Sequence, residues 1–113
     1  MFFEYADTGS WTSSTYISNE NDFKNIKFRQ RVARDMSNRS LNVNILGQKI
    51  NMPLALSPIG ICGLQYPNGE ILAAKAAEKK GIPFTLSTMS ICSIEDVAEN
   101  TSKPFWFQLY MMK

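Results

Sequence analysis

The residues best placed to do chemistry are Ser57, Ser87, Gln108 and Tyr110, each at the C-terminal part of a short apolar run that reads as a strand. A hydroxyl, amide or phenol taken out of water costs about 1–3 kcal/mol when left without a partner. Several such groups gathered at one edge therefore imply a ligand with matching donors and acceptors. Next to Ser57 comes Pro58-Ile59-Gly60. Pro58 has no N–H with which to continue a ladder, and Gly60, lacking a Cβ, lets the backbone turn sharply or lets a flat ligand approach its N–H. Cys62 and Cys92 have no metal-ligand spacing, and the chain contains no histidine to complete a zinc site. They read as free thiols in a reducing compartment.

The elements that must hold these groups follow from periodicity. The stretch Leu54–Gly60 reads as a short buried strand running into a kinked loop, and Pro83–Ser87 and Phe105–Tyr110 read as two further strands. Side chains alternate faces along a strand. Leu54 and Leu56 thus oppose Ala55 and Ser57, Phe84 and Leu86 oppose Thr85 and Ser87, and Phe105, Phe107 and Leu109 oppose Trp106, Gln108 and Tyr110. Each strand has one apolar face for a helix layer and one face that turns polar toward its C-terminal end. Between the strands, Tyr66–Gly81 is the strongest helix, with Asn68 as N-cap, Glu70 in the first turn, Lys79 and Lys80 in the last and Gly81 just past the end. Ser93 followed by Asp96 predicts a capping box opening a short helix to about Glu99. Strand, helix, strand, helix, strand at these spacings argues a parallel sheet with right-handed crossovers, and ligands of such folds bind at the carboxyl edge of the strands. Upstream, Leu41–Asn51 alternates as a hairpin around Gly47, acting as a lid or plug, and residues 12–24 form a weak helix.

The chain has 113 residues, 44% hydrophobic and 19% charged with formal charge +2, which bounds it to one globular domain and does not favour nucleic acid as a partner. Lys27, Arg29, Arg31 and Arg34 alternate with other residues and read as a solvated surface. No apolar run reaches the roughly 20 residues of a membrane span, and the start lacks the pattern of a signal peptide; the chain reads as cytoplasmic. Both ends look cut, since Phe105–Tyr110 would be an unprotected edge, so a piece of a longer protein is expected.

Several segments, FEYADTGS around Tyr5, FRQRV near Arg29, NMPLALSPIGICGL, NGEILAAKAAEKKGIPFTLSTMSICSIEDVAE and FWFQLY, together resemble the N-terminal third of the FMN-dependent α-hydroxy acid dehydrogenases, in one register over essentially the whole chain. The combination of SPIGICG, GIPFTLST and WFQLY is most similar to the bacterial respiratory L-lactate dehydrogenase branch, with mandelate dehydrogenases and glycolate or lactate oxidases as close relatives.

The resemblance implies an α/β fold, the first three strands and two helices of a (β/α)8 TIM barrel carrying FMN at its top face. Residues 1–52 would be the N-terminal helical segment and hairpin, and 53–113 the start of the barrel. By position it implies that the backbone of Pro58, Ile59 and Gly60 lies against the flavin, that Ser87 and Gln108 hydrogen-bond its ring, that Tyr5 holds the substrate carboxylate and that Tyr110 contacts the substrate. It further implies a small 2-hydroxy acid substrate, a respiratory quinone or cytochrome as electron acceptor, a homo-oligomer when complete and peripheral attachment to the inner face of the bacterial cell membrane. The family's histidine base and carboxylate-binding arginine come from later strands, so the chain alone is expected to be inactive and poorly soluble. Met89 stands where oxidases of the family often carry tryptophan, which counts against an oxidase using O2. From another class, a non-catalytic βαβ module binding a partner along Phe105–Tyr110 remains the alternative.

Overall fold

The computed structural model describes residues 2–112, and these divide into two compact units, one up to Asn38 and one from Arg39 onward. The first unit holds α1 (Phe2–Asp7), α2 (Ser14–Asn21) and a 3-10 turn (Asp22–Asn25). Helix α1 falls within the N-terminal helical segment implied by the resemblance, though not within the 12–24 window; Thr8 closes it by donating both its N–H and its hydroxyl to the Glu4 carbonyl, at 3.2 and 2.7 Å. Helix α2 and the turn fall within the expected 12–24 window. With Thr, Tyr, Ile and Asn in the body, α2 is a poor helix by propensity, and it buries no residue. Lys27, Arg29, Arg31 and Arg34 are all exposed, as expected of a solvated surface.

The second unit opens with the expected hairpin, β1 (Val43–Ile45) against β2 (Gln48–Ile50), Val43 opposite Ile50. Leu46 and Gly47 both have positive φ, 49° and 77°, the signature of a two-residue type I′ turn whose twist matches that of the strands. Asn51 ties the hairpin to the end of the following helix: its N–H donates to the Gly81 carbonyl (2.9 Å) and its Nδ2 to the Lys80 carbonyl (3.0 Å). That end lies before the next strand begins, so the hairpin is a plug under the sheet and not a lid over its carboxyl edge.

The parallel sheet is built on β3 (Thr85–Ser87) and β4 (Trp106–Gln108), registered Thr85 to Trp106, Leu86 to Phe107 and Ser87 to Gln108. The Leu54–Ser57 strand is reduced to one parallel bridge, Leu56 to Phe84, held by Leu56 N–H to Pro83 O (2.9 Å) and Thr85 N–H to Leu56 O (3.1 Å). Pro53 and Pro58 bracket it and neither has a donor, so the ladder cannot lengthen.

Between these strands run α3 (Cys62–Gln65), a short turn of helix absent from the sequence expectation, and α4 (Gly69–Lys80). Gly81 ends α4 at φ 67°, its N–H bonded to the Ala77 and Glu78 carbonyls, as a glycine past a helix end does. Asn68 precedes α4 but does not cap it. It sits in the left-handed region (φ 57°) with no side-chain capping bond, so asparagine serves there for its tolerance of that conformation. Helix α5 (Ile94–Glu99) opens on a complete capping box, Asp96 N–H to Ser93 Oγ and Ser93 N–H to Asp96 Oδ2, each 3.0 Å.

Ala74 and Ala77 bring α4 close onto Phe84 and Leu86, and Cys92 and Val97 complete the buried cluster. Phe84 meets Phe105 edge-on, ring centroids 6.2 Å apart. Of the apolar faces, only that of β3 is fully covered. Leu54, Phe107 and Leu109 stay 50%, 42% and 68% exposed, because α4 and α5 pack over the middle of the sheet and not its flanks.

Candidate functional site

The polar edge lies at the C-terminal ends of β3 and β4. Thr85 and Ser87 face opposite to Leu86, and the parallel register sets Ser87 beside Gln108. The Ser87 hydroxyl, 2% exposed, donates to Gln108 Oε1 at 3.4 Å and accepts from the Met89 N–H at 3.1 Å. One residue further on, Thr88 locks the two strand ends together: its hydroxyl donates to the Gln108 carbonyl and accepts from the Tyr110 N–H. Tyr110 thus has its backbone anchored at the rim while its side chain is 45% exposed. Ser57, at the end of the bridged segment, shares with Thr85 and Ser87 the lining of a small cavity of about 120 Å³.

Pro58, Ile59 and Gly60 form the loop above the bridged segment. The left-handed turn in that loop falls on Ile61 (φ 49°) and not on Gly60. A Cβ on Gly60 would lie 3.4 Å from Met89 Cβ and 4.0 Å from Ser87 Oγ, ordinary contact distances, so the loop packs against the end of β3 at this position. The Ile61 N–H donates to the Met89 carbonyl at 2.8 Å, so the loops after Leu56 and after β3 are bonded to each other. Ser87, Gln108, Tyr110 and the 58–60 loop therefore share one edge of the sheet. Tyr5 lies on α1 in the first unit, 71% exposed.

Glu70 belongs to this edge and was not foreseen as more than a first-turn acid. It is 3% exposed, and its Oε1 accepts from the Gly63 and Ile91 N–H groups, both at 3.0 Å. Burial pushes its carboxyl up, but N–H donors from Ile91, its own backbone and Gly63, with the Cys92 thiol, outweigh this and hold it below the ordinary glutamate value. Although Cys92 lies close enough to add to that pull, Oε2 is buried without a hydrogen-bond partner of normal geometry among the described residues. Gly63 and Gly69 leave the space that Glu70 and Cys62 occupy. A Cβ at Gly63 would come within 3.0 Å of Oε2, and one at Gly69 within 2.9 Å of Cys62 Sγ. Cys62 and Cys92 are free thiols, both raised chiefly by burial and further by Glu70.

Comparison with known proteins matches residues 1–113 to the family model described as FMN-dependent dehydrogenase. The chain belongs to the FMN-dependent dehydrogenase family. Among curated relatives it is 50% identical to an L-lactate dehydrogenase of Haemophilus influenzae and 51% identical to one of Vibrio parahaemolyticus, over all 113 residues in both cases. It spans 30% of the length of each. Among solved structures, a soluble mutant of the membrane-associated (S)-mandelate dehydrogenase from Pseudomonas putida superposes with a TM-score of 0.91 at 38% identity, covering 99% of this chain and 32% of that one. FMN is the cofactor of this family of dehydrogenases, and the chain is a portion of such a flavoprotein's length. Among the described residues, no helix is long and apolar enough to cross a membrane.

Proposed function

We propose that this chain is the opening part of an FMN-dependent L-2-hydroxy acid dehydrogenase that oxidises L-lactate to pyruvate, folded as a (β/α)8 barrel whose first strands are the Leu56 segment, β3 and β4. The observation that carries the reading is half-identity to L-lactate dehydrogenases over every residue, in a register that puts the polar rim at the strand ends. The rim fits a flavin ring. Ser87 and Gln108, on neighbouring strands, offer a hydroxyl and an amide to the heteroatoms of a flat heterocycle, and the Pro58–Gly60 backbone packs beside them without a side chain at Gly60.

When bound, FMN supplies the acceptor for the hydride leaving the substrate α-carbon. Pro58, Ile59 and Gly60 present backbone to the ring, and Ser87 and Gln108 orient it through hydrogen bonds. Tyr110 flanks the substrate, and Tyr5 keeps its family-derived assignment to the substrate carboxylate. No histidine is present to take the hydroxyl proton, so the chain by itself is inactive. Electrons pass on to a respiratory quinone or cytochrome, with the intact oligomeric enzyme held peripherally at the membrane.

The test uses the whole polypeptide that carries this chain, loaded with FMN. Anaerobic L-lactate bleaches the flavin, and a quinone-like dye restores its colour much faster than O2 does. Faster reoxidation by O2 would convert the assignment to an oxidase. A flavin that L-lactate leaves oxidised, while another hydroxy acid such as (S)-mandelate reduces it, would overturn the substrate.

A further inference from the structure

We propose that Glu70 is a positioning residue for the flavin-facing loops, its carboxylate clamping the start of α3, which closes the loop 58–61, to the loop 88–91 so that the Gly60 backbone and Ser87 keep a fixed relation. The inference rests on the flavin reading above and adds a residue that touches neither flavin nor substrate. Gly63 lies in the first turn of α3, three residues after Gly60, and Ile91 lies two residues after Met89, whose N–H is held by Ser87 Oγ. A single oxygen, Oε1, receives both N–H groups, so a change in one loop is felt by the other. The Ile61 to Met89 bond is a second staple across the same gap.

The chemistry of the side chain supports a carboxylate in particular. Hydrogen bonds to an ionised acceptor are roughly twice as strong as neutral ones, and this acid stands at the start of a 12-residue helix, where negative charge is favoured. Among the described residues its second oxygen has no partner of normal geometry, and the Glu70 side chain lies beside a small cavity with Ser57, Ile59, Cys62, Thr85 and Ser87. An amide in its place would keep a weaker acceptor and bury an NH2 with nothing to bond. Glutamine is therefore not a neutral replacement.

The experiment titrates FMN into the apo form of the full polypeptide that carries this chain, following the quenching of flavin fluorescence, for wild type, Glu70→Ala, Glu70→Gln and Val97→Ala. Val97 is fully buried in α5, an apolar side chain with no hydrogen bond to either loop, and reports simple loss of packing. Glu70→Ala raises the FMN dissociation constant at least tenfold and Glu70→Gln threefold to tenfold, each with an altered flavin absorption band. Val97→Ala lowers thermal stability and leaves the dissociation constant within twofold. Glu70→Ala that folds and binds FMN like wild type overturns the proposal. Should Glu70→Ala not fold, Glu70→Gln decides, and wild-type affinity in that variant overturns it equally. Equal weakening of FMN binding in Val97→Ala reduces Glu70 to general stability and also overturns it. Wild-type protein that takes up no FMN sinks the flavin reading itself, a result distinct from all of these.

Discussion

Gly81 is where the hairpin, the end of α4 and the start of β3 meet, and replacing it tests whether that junction is held as described. Gly81→Ala places a Cβ at φ 67°, where an L-residue costs about 1–2 kcal/mol. The same Cβ would lie 2.2 Å from Asn51 Nδ2, so the Asn51 side chain must leave and its bond to the Lys80 carbonyl is lost. That bond contributes about 0.5–1.5 kcal/mol, and the two terms together come to about 1.5–3.5 kcal/mol. With a urea slope of about 2–3 kcal/mol per M, the midpoint falls by about 1 M. The assay is urea unfolding of the intact flavoprotein for Gly81→Ala, Asn51→Ala and the double variant. Because Gly81→Ala already breaks the Asn51 bond, adding Asn51→Ala costs almost nothing more, and the pair is non-additive by about 1 kcal/mol. FMN affinity stays unchanged, since the junction lies at the end of the sheet away from the rim. Strict additivity, or a midpoint within 0.2 M or so of wild type, would refute the geometry on which the calculation stands.

Leu86 is fully buried at the centre of β3, so Leu86→Ala costs about 2–5 kcal/mol, more than any single truncation in the exposed first unit, as thermal denaturation of both sets would show. Glu70 is held below the ordinary glutamate value, so the stability it contributes is present above the unfolded-state value of 4.5 and is lost as pH falls through the lower folded-state value. A wild-type acid-unfolding curve therefore has a limb below about pH 4.5 that Glu70→Gln lacks, and identical curves would contradict the depressed value. Burial and the Glu70 charge raise both thiols, so at neutral pH Cys92 and Cys62 alkylate far more slowly than a free cysteine. Cys92, the more buried, is the slower of the two when labelling is followed by mass spectrometry.

What could be read from the sequence was what depends on neighbours along the chain. The alternation that put Ser87 and Gln108 on one face needs only a period of two, and the register confirms that they meet. The capping box at Ser93 and the glycine after Lys80 are local devices, and both formed as read. Asn68 was misread because asparagine suits a helix start in two ways, as a side-chain acceptor and as a residue content at positive φ, and spacing alone does not tell them apart. The Leu54 segment shrank to one bridge because the prolines around it limit pairing more than its apolar residues promote it. Glu70 was out of reach. Its partners lie seven and twenty-one residues away, and nothing local marks an acid in the first turn of a helix as one that will be buried.

The turn at Leu46 and Gly47 has a practical consequence. A Cβ built on Gly47 meets nothing within 4 Å, Leu46 is 82% exposed, and the hairpin's attachment through Asn51 belongs to its far end. Lengthening a surface turn adds only about 0.6 kcal/mol for each doubling of its length. An epitope tag or a fluorophore-bearing peptide spliced between Leu46 and Gly47 would therefore be carried at the tip of the hairpin without disturbing its attachment to the end of α4, a handle for immobilising the protein.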